Sequence, residues 1–231
     1  MRNIRKLIRR LVNGKPIDYV EHLRSLGVRI GERTVFYDSH NSLVDVTRPW
    51  LVEIGNDVQI TRGVIILTHG YDWSVLKGLY GHVLGSAGKV TIGNNVFIGM
   101  NTIILKGVTI GNNVIIGAGS LVNSDIPDNS VAAGNPARVI MSIEDYYEKR
   151  KAAQEKEAKQ LVFEYRKVYG KDPDEAVLSE FFWLFSDEPD SLPECWQQKM
   201  ELVGTKSLSC KKLSANPKPY RDLQDFLKHC E

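Results

Sequence analysis

The chain has 231 residues, 42% of them hydrophobic and 25% charged, with a formal net charge of +2. That balance excludes a disordered polymer, carries no strong nucleic-acid footprint and contains no apolar run near the roughly 18 residues needed to span a membrane. Cys195, Cys210 and Cys230 form neither a CxxC pair nor an even set, which points to a reducing, cytoplasmic setting and away from a zinc site.

Residues 1–29 read as an N-terminal helical segment. Ile4, Leu7, Ile8, Leu11 and Val12 recur at helical spacing, ringed by Arg2, Arg5, Lys6, Arg9 and Arg10. Such a basic amphipathic helix packs on its own protein, the commoner case, or associates weakly with an anionic membrane surface. No small-residue cleavage site follows it, so a secretory leader is not expected. Pro16 and Asp18 open a second short helix that ends near Gly27.

Residues 30–140 carry a repeat. Aliphatic residues fall at Ile92, Ile98, Ile104, Ile110, Ile116 and Val122, and earlier at Ile54, Ile60 and Ile66. Ile30 and Phe36 keep the same step of six, but Ser42 and Arg48 occupy the next expected aliphatic places. A period of six fits neither a helix face nor simple strand alternation. It fits a three-sided prism in which each hexad supplies one short strand and one turn. Val96, Thr102, Val108, Val114 and Ser120, four positions after an aliphatic residue, help fill the interior. Asn94-Asn95 and Asn112-Asn113 sit at the corners, where positive φ is tolerated. Such coils stand only as stacks. A β-sandwich of short strands is the competing fold, and it does not explain hexads that stay in phase.

The pattern breaks at about 68–89, where an insertion rich in glycine and aromatic residues reads as a functional loop. Residues 141–231 read as a helical C-terminal extension. Helices are expected over 142–169, over 173–185 behind the capping Asp172 and Pro173, and as short pieces over 193–202 and 219–229. No chemistry is assigned to this region.

The stretches RPWLVEIGNDVQI, VIILTHGYDW, KVTIGNNVFIGMNTIILKGVTIGNNVIIGAGSLV and DIPDNSVAAGNPARVI closely resemble the hexapeptide-repeat acyltransferases. The resemblance is to the branch of maltose, galactoside and capsular-polysaccharide O-acetyltransferases. It implies an all-β core formed as a left-handed parallel β-helix, a homotrimer with active sites between subunits, acetyl-CoA as donor and a sugar or surface-glycan acceptor. Neither handedness nor trimer follows from the period.

Acetyl transfer from a thioester to a hydroxyl needs a base for the hydroxyl proton, donors for the oxyanion and two substrates held together. Among His22, His40, His69, His82 and His229, the resemblance makes His69 the base of a direct transfer; on its own it would read as an ordinary loop histidine. Relatives often carry aspartate where Gly70 stands, so the carboxylate that orients His69 is left open between Asp72 and Asp45. Asn41 and Asp45 are candidate acceptor contacts, although turn chemistry accounts for them equally. Asp72, Trp73 and His82 complete the acceptor candidates, with Tyr71 beside Trp73 able to stack on a sugar or to pack the loop. For the coenzyme the resemblance implies Met100, Ala118, Gly119, Asn123 and Ser124 along the pantetheine arm and Arg138 at a nucleotide phosphate. Lysine is common in relatives where Ser124 stands. No metal is expected.

Three alternatives stay open. An N-acetyltransferase of an amino sugar or an antibiotic would use the same scaffold. A zinc enzyme of the γ-carbonic-anhydrase type would need three converging histidines, and no HxxxxH pair lies in the coils. A non-catalytic scaffold would need neither His69 nor the GNPAR segment.

Overall fold

The structure, a computed structural model, describes residues 19–230. The basic amphipathic segment at the N-terminus lies outside them. The described residues divide into two compact units, one ending at Ile143 and one from Glu144 onward.

In the first unit, helix α1 (Tyr19–Leu26) buries Val20 and Leu23. The coils follow. The first contains β1 (Arg29–Ile30), β2 (Val35–Phe36) and β3 (Leu43–Val44). The second contains β4 (Val52–Ile54), β5 (Gln59–Ile60) and β6 (Ile65–Ile66). An antiparallel hairpin, β7 (His69–Gly70) with β8 (Ser86–Ala87), then leaves the stack and carries helix α2 (Trp73–Tyr80). The third coil has β9 (Val90–Ile92), β10 (Val96–Ile98) and β11 (Ile103–Ile104), and the fourth has β12 (Thr109–Ile110), β13 (Val114–Ile116) and β14 (Leu121–Val122). Strands β15 (Ser130–Gly134) and β16 (Ala137–Ser142) close the unit as an antiparallel pair.

Successive strands enter three sheets in rotation: β1-β4-β9-β12, β2-β5-β10-β13-β15-β16 and β3-β6-β11-β14. Every pairing between coils is parallel. The hexad residues Ile54, Ile60, Ile66, Ile92, Ile98, Ile104, Ile110, Ile116 and Val122 are each at most 2% exposed and form one core. The physical reason is the stack: Ile98 lies between Ile60 and Ile116, so each isoleucine covers its copies in the neighbouring coils.

The corner after the first sheet explains the recurrent Gly-Asn-Asn. The Asn56, Asn94 and Asn112 side-chain carbonyls each accept the backbone N–H of the coil before, at 2.7–2.8 Å. Asp128 continues the ladder by accepting from the Asn112 N–H at 2.7 Å. Beside it Asn95, Asn113 and Asn129, all at φ near 55°, link through their amides at 2.9 Å. Asparagine adopts that left-handed conformation more readily than most residues. Gly93 is required by close approach: a Cβ there would sit 2.7 Å from the Gly111 carbonyl oxygen.

The irregular register between 36 and 54 comes from six extra residues in the first coil, two before Val44 and four after it. β1 pairs Ile30 with Ile54, but β3 pairs Val44 with Ile66. The turn after β2 therefore places Val44, not Ser42, in the buried aliphatic row, and Arg48 leaves that row altogether. The insertion is likewise more ordered than a loop, since it holds the β7–β8 hairpin and α2.

The second unit begins in helix α3 (Ile143–Tyr169) and continues through α4 (Glu194–Glu201), α5 (Lys206–Ser214) and α6 (Leu223–Lys228). Ala158, Val162, Leu178, Phe182, Phe185, Trp196, Leu213 and Phe226 form its core, with Phe182 stacked on Trp196 at 5.2 Å. The helix expected over 173–185 is replaced by turns and one 3₁₀ turn, Phe182–Leu184. The cause is packing: the run FFWLF has no polar face, and Phe182, Leu184 and Phe185 are all buried. Helix α5 has no counterpart in the sequence expectation.

Candidate active site

The chemistry-bearing residues gather at the corner that follows the third sheet, where two coils depart from the hexad rule together. Because β3 lies under β6, the residues leaving β3 stack on those leaving β6: the Asp45 N–H donates to the Ile66 carbonyl at 2.9 Å. That contact brings Asp45 to Thr68 and His69.

Asp45 is 6% exposed. Its Oδ1 accepts from the Thr47 N–H at 3.0 Å and the Thr47 hydroxyl at 2.6 Å. Its Oδ2 accepts from the Thr68 N–H at 3.1 Å and the Thr68 hydroxyl at 2.5 Å, and lies 2.6 Å from His69 Nδ1. Burial works to raise the carboxyl pKa, but the hydrogen bonds from Thr47 and Thr68 more than offset it and hold Asp45 well below the usual carboxylate range. Asp45 is thus ionised and can only accept, so Nδ1 of His69 carries the proton and donates. Nε2 has no hydrogen-bond partner among the described residues.

Asp45, one of the two carboxylates open for orienting His69, is the one that contacts it. The same hydrogen bonds remove it as an acceptor contact, because its oxygens are already engaged and buried. Asp72 instead starts α2, with its carboxylate over Gly70, where a Cβ would collide with it. Asn41 is tied into a local turn, its amide donating to Asp38 at 2.7 Å, and it does not line the His69 cavity. His82 is exposed beyond α2 and does not line it either.

His69 opens onto a cavity of about 320 Å³ lined by Thr47, Arg48, Trp50, Gly70, Tyr71, Trp73, Gly85 and Ser86. Tyr71 lies 5.5 Å from the His69 ring and 5.7 Å from Trp73. Of these residues the sequence pattern marks Trp73, Tyr71 and His69. It names none of Thr47, Arg48, Trp50 and Ser86 as a contact, although Thr47 and Arg48 lie in the irregular stretch that holds the acceptor candidates Asn41 and Asp45, and Arg48 and Trp50 open the RPWLVEIGNDVQI stretch; the irregular first coil and the returning strand β8 bring them to the site.

The residues expected to hold a coenzyme occupy two corners. Met100, Ala118 and Gly119 stack in the turns after β10 and β13, where the Gly119 N–H donates to the Met100 carbonyl at 2.7 Å. Arg138, on β16 opposite Ala133, belongs to the same region, and its guanidinium donates to the Ala137 carbonyl at 2.7 Å. Asn123 and Ser124 are exposed and follow β14, on the corner that also carries His69. Among the described residues no three His, Cys, Asp or Glu side chains are grouped to hold a metal ion.

Comparison with known proteins bears on this arrangement. Residues 89–124 match the family model described as bacterial transferase hexapeptide (six repeats). Protein CapG of Staphylococcus aureus is 45% identical over 126 residues, which cover 54% of this chain and 72% of that protein. This chain belongs to the hexapeptide-repeat transferases. Within that family it falls among the acetyltransferases: galactoside O-acetyltransferase of Escherichia coli is 42% identical over 115 residues, 48% of this chain and 52% of that enzyme. A solved galactoside acetyltransferase in complex with coenzyme A is 30% identical, with 62% of this chain and 80% of that one covered and a TM-score of 0.43. No helix of this acetyltransferase, among the described residues, is long and apolar enough to cross a membrane.

Proposed function

We propose that this acetyltransferase moves the acetyl group of acetyl-CoA to a hydroxyl of a sugar or surface-glycan intermediate by direct attack, with His69 as general base and Asp45 as its positioning residue. The observation that carries the reading is the Asp45–His69 contact of 2.6 Å, which leaves Nε2 unpaired on a residue lining an aromatic cavity. The acceptor hydroxyl gives its proton to Nε2 as its oxygen bonds to the thioester carbonyl carbon. The tetrahedral adduct then collapses, the carbon–sulfur bond breaks, and the proton passes from Nε2 to the leaving thiolate. Asp45 keeps the imidazole in the required tautomer and stabilises the imidazolium that forms between the two transfers. Trp50 and Tyr71, 62% and 70% exposed, offer flat apolar faces of the kind that stack on a pyranose ring.

The scaffold for this reaction is a left-handed β-helix, and its assembly is a homotrimer. The division of candidate coenzyme residues between two corners supports the second point, because a cleft between adjacent prisms joins one corner of each. Met100, Ala118, Gly119 and Arg138 of one chain would then share acetyl-CoA with the corner of His69, Asn123 and Ser124 of another. Acetyl-CoA as donor supports a cytoplasmic reaction.

His69→Ala should leave the fold and coenzyme A binding intact and lower transfer by at least ~100-fold, the scale of a lost general base. Steady-state assay with acetyl-CoA and a panel of sugars and nucleotide sugars measures this, and near-normal turnover in the variant removes His69 from the mechanism.

A further inference from the structure

Arg48 sits in the His69 cavity and has no partner among the described residues. Its backbone is fixed: the Arg48 carbonyl accepts from the Leu51 N–H at 2.9 Å across the 3₁₀ turn Pro49–Leu51. Its guanidinium makes no hydrogen bond or ion pair within the described residues. That sets it apart from the other described arginines. Arg24, Arg29, Arg33, Arg62, Arg150, Arg166 and Arg221 all face carboxylates, and Arg138 donates to a carbonyl. Among the described residues no aspartate or glutamate lines the cavity. Two carboxylates lie next to lining residues: Asp72, over Gly70, has no ion pair to Arg48, and Asp45 is buried and already accepts from Thr47, Thr68 and His69.

From this we infer that Arg48 selects an acceptor carrying an anionic group, a carboxylate or a phosphate close to the hydroxyl that is acetylated. A guanidinium presents a planar fork of donors that matches either anion in a bidentate manner. Next to aromatic walls and the His69 imidazole, it is the one arginine or lysine among the described residues of the lining. An anionic sugar seated against Trp50 or Tyr71 would pair with Arg48 and place its neighbouring hydroxyl toward His69. The inference rests on the His69 cavity being the acceptor site, so its test reads binding rather than transfer.

Methyl glucuronide, glucose 1-phosphate and neutral methyl glucoside are titrated into the full chain, following the His69 imidazole signals by NMR. At least one anionic sugar should bind about tenfold more tightly than the glucoside, the scale of one charge-assisted contact. The tighter of the two identifies the anion as carboxylate or phosphate. Arg48→Gln should abolish the preference while leaving the Kd for coenzyme A unchanged, and Arg48→Lys, which keeps the charge without the fork, should retain part of it. The inference is overturned if neither anion is preferred, if the preference survives in Arg48→Gln, or if Arg48→Gln weakens coenzyme A instead. None of these results requires turnover, so they are separate from the fate of His69→Ala.

Discussion

At the level of single residues the molecule turns on a buried carboxylate with one surplus charge and several donors around it. Asp45 is held by two threonines and hands its remaining contact to His69. Asp45→Asn would leave an amide that can no longer satisfy all these donors, and its own N–H₂ would favour the wrong imidazole tautomer. We expect kcat to fall at least ~10-fold with little change in KM for acetyl-CoA, since the loss is in proton transfer. A KM effect alone would mean that Asp45 serves binding. The carboxylate also links stability to pH. Its folded pKa is depressed, so the stabilisation is fully present above the unfolded value of about 3.9 and is lost as pH falls through the folded value. Urea midpoints of the wild type and Asp45→Asn should therefore differ most at neutral pH and converge on acidification below about pH 4. His69 was legible in the sequence through its ILTHG setting. Its partner was not, because Asp45 and Asp72 are equally close to it in chemistry and only the stacking of β3 under β6 chooses between them.

At the level of elements, each coil is specified by contacts to its neighbours rather than by its own strands, which are two or three residues long before β15. Glycine at the Gly-Asn-Asn corner lets the next coil approach. Gly93→Ala would push a methyl group into the Gly111 carbonyl and should cost roughly 1–3 kcal/mol, as overpacking does. Gly78→Ala is the matched contrast, because Gly78 lies in α2 with nothing within 4 Å of the added methyl. It should gain about 0.5–1 kcal/mol from helix propensity. Opposite shifts in the unfolding midpoint would separate close approach from backbone freedom. The hexads predicted their buried residues because a stacked prism demands the same side chain at the same phase. Phase alone could not show the two-residue slip before Val44, since Ser42 also suits a turn. The 173–185 helix failed for a different reason: an apolar run without a polar face is shaped by what it packs against.

For the whole molecule, the decisive arrangement is the placing of candidate residues on separate corners of the three-sheet unit. If trimers join those corners, light scattering should give three chains per particle. Co-refolding His69→Ala with Arg138→Ala should also restore wild-type sites that neither variant has alone, one from each productive pairing of corners. Failure of mixed trimers to recover activity would place the whole site within one chain. The sequence by itself determined the buried aliphatic row, because burying an aliphatic residue every sixth position is a repeated local demand that each hexad states independently. It also marked His69, through its motif. Tertiary structure alone decided that Asp45 contacts His69, that Arg48 and Trp50 share its cavity, and that Asn41 and His82 stand apart. Those relations are set by which coils lie in contact and by how far an irregular turn displaces them, and neither quantity is written in the spacing of the chain.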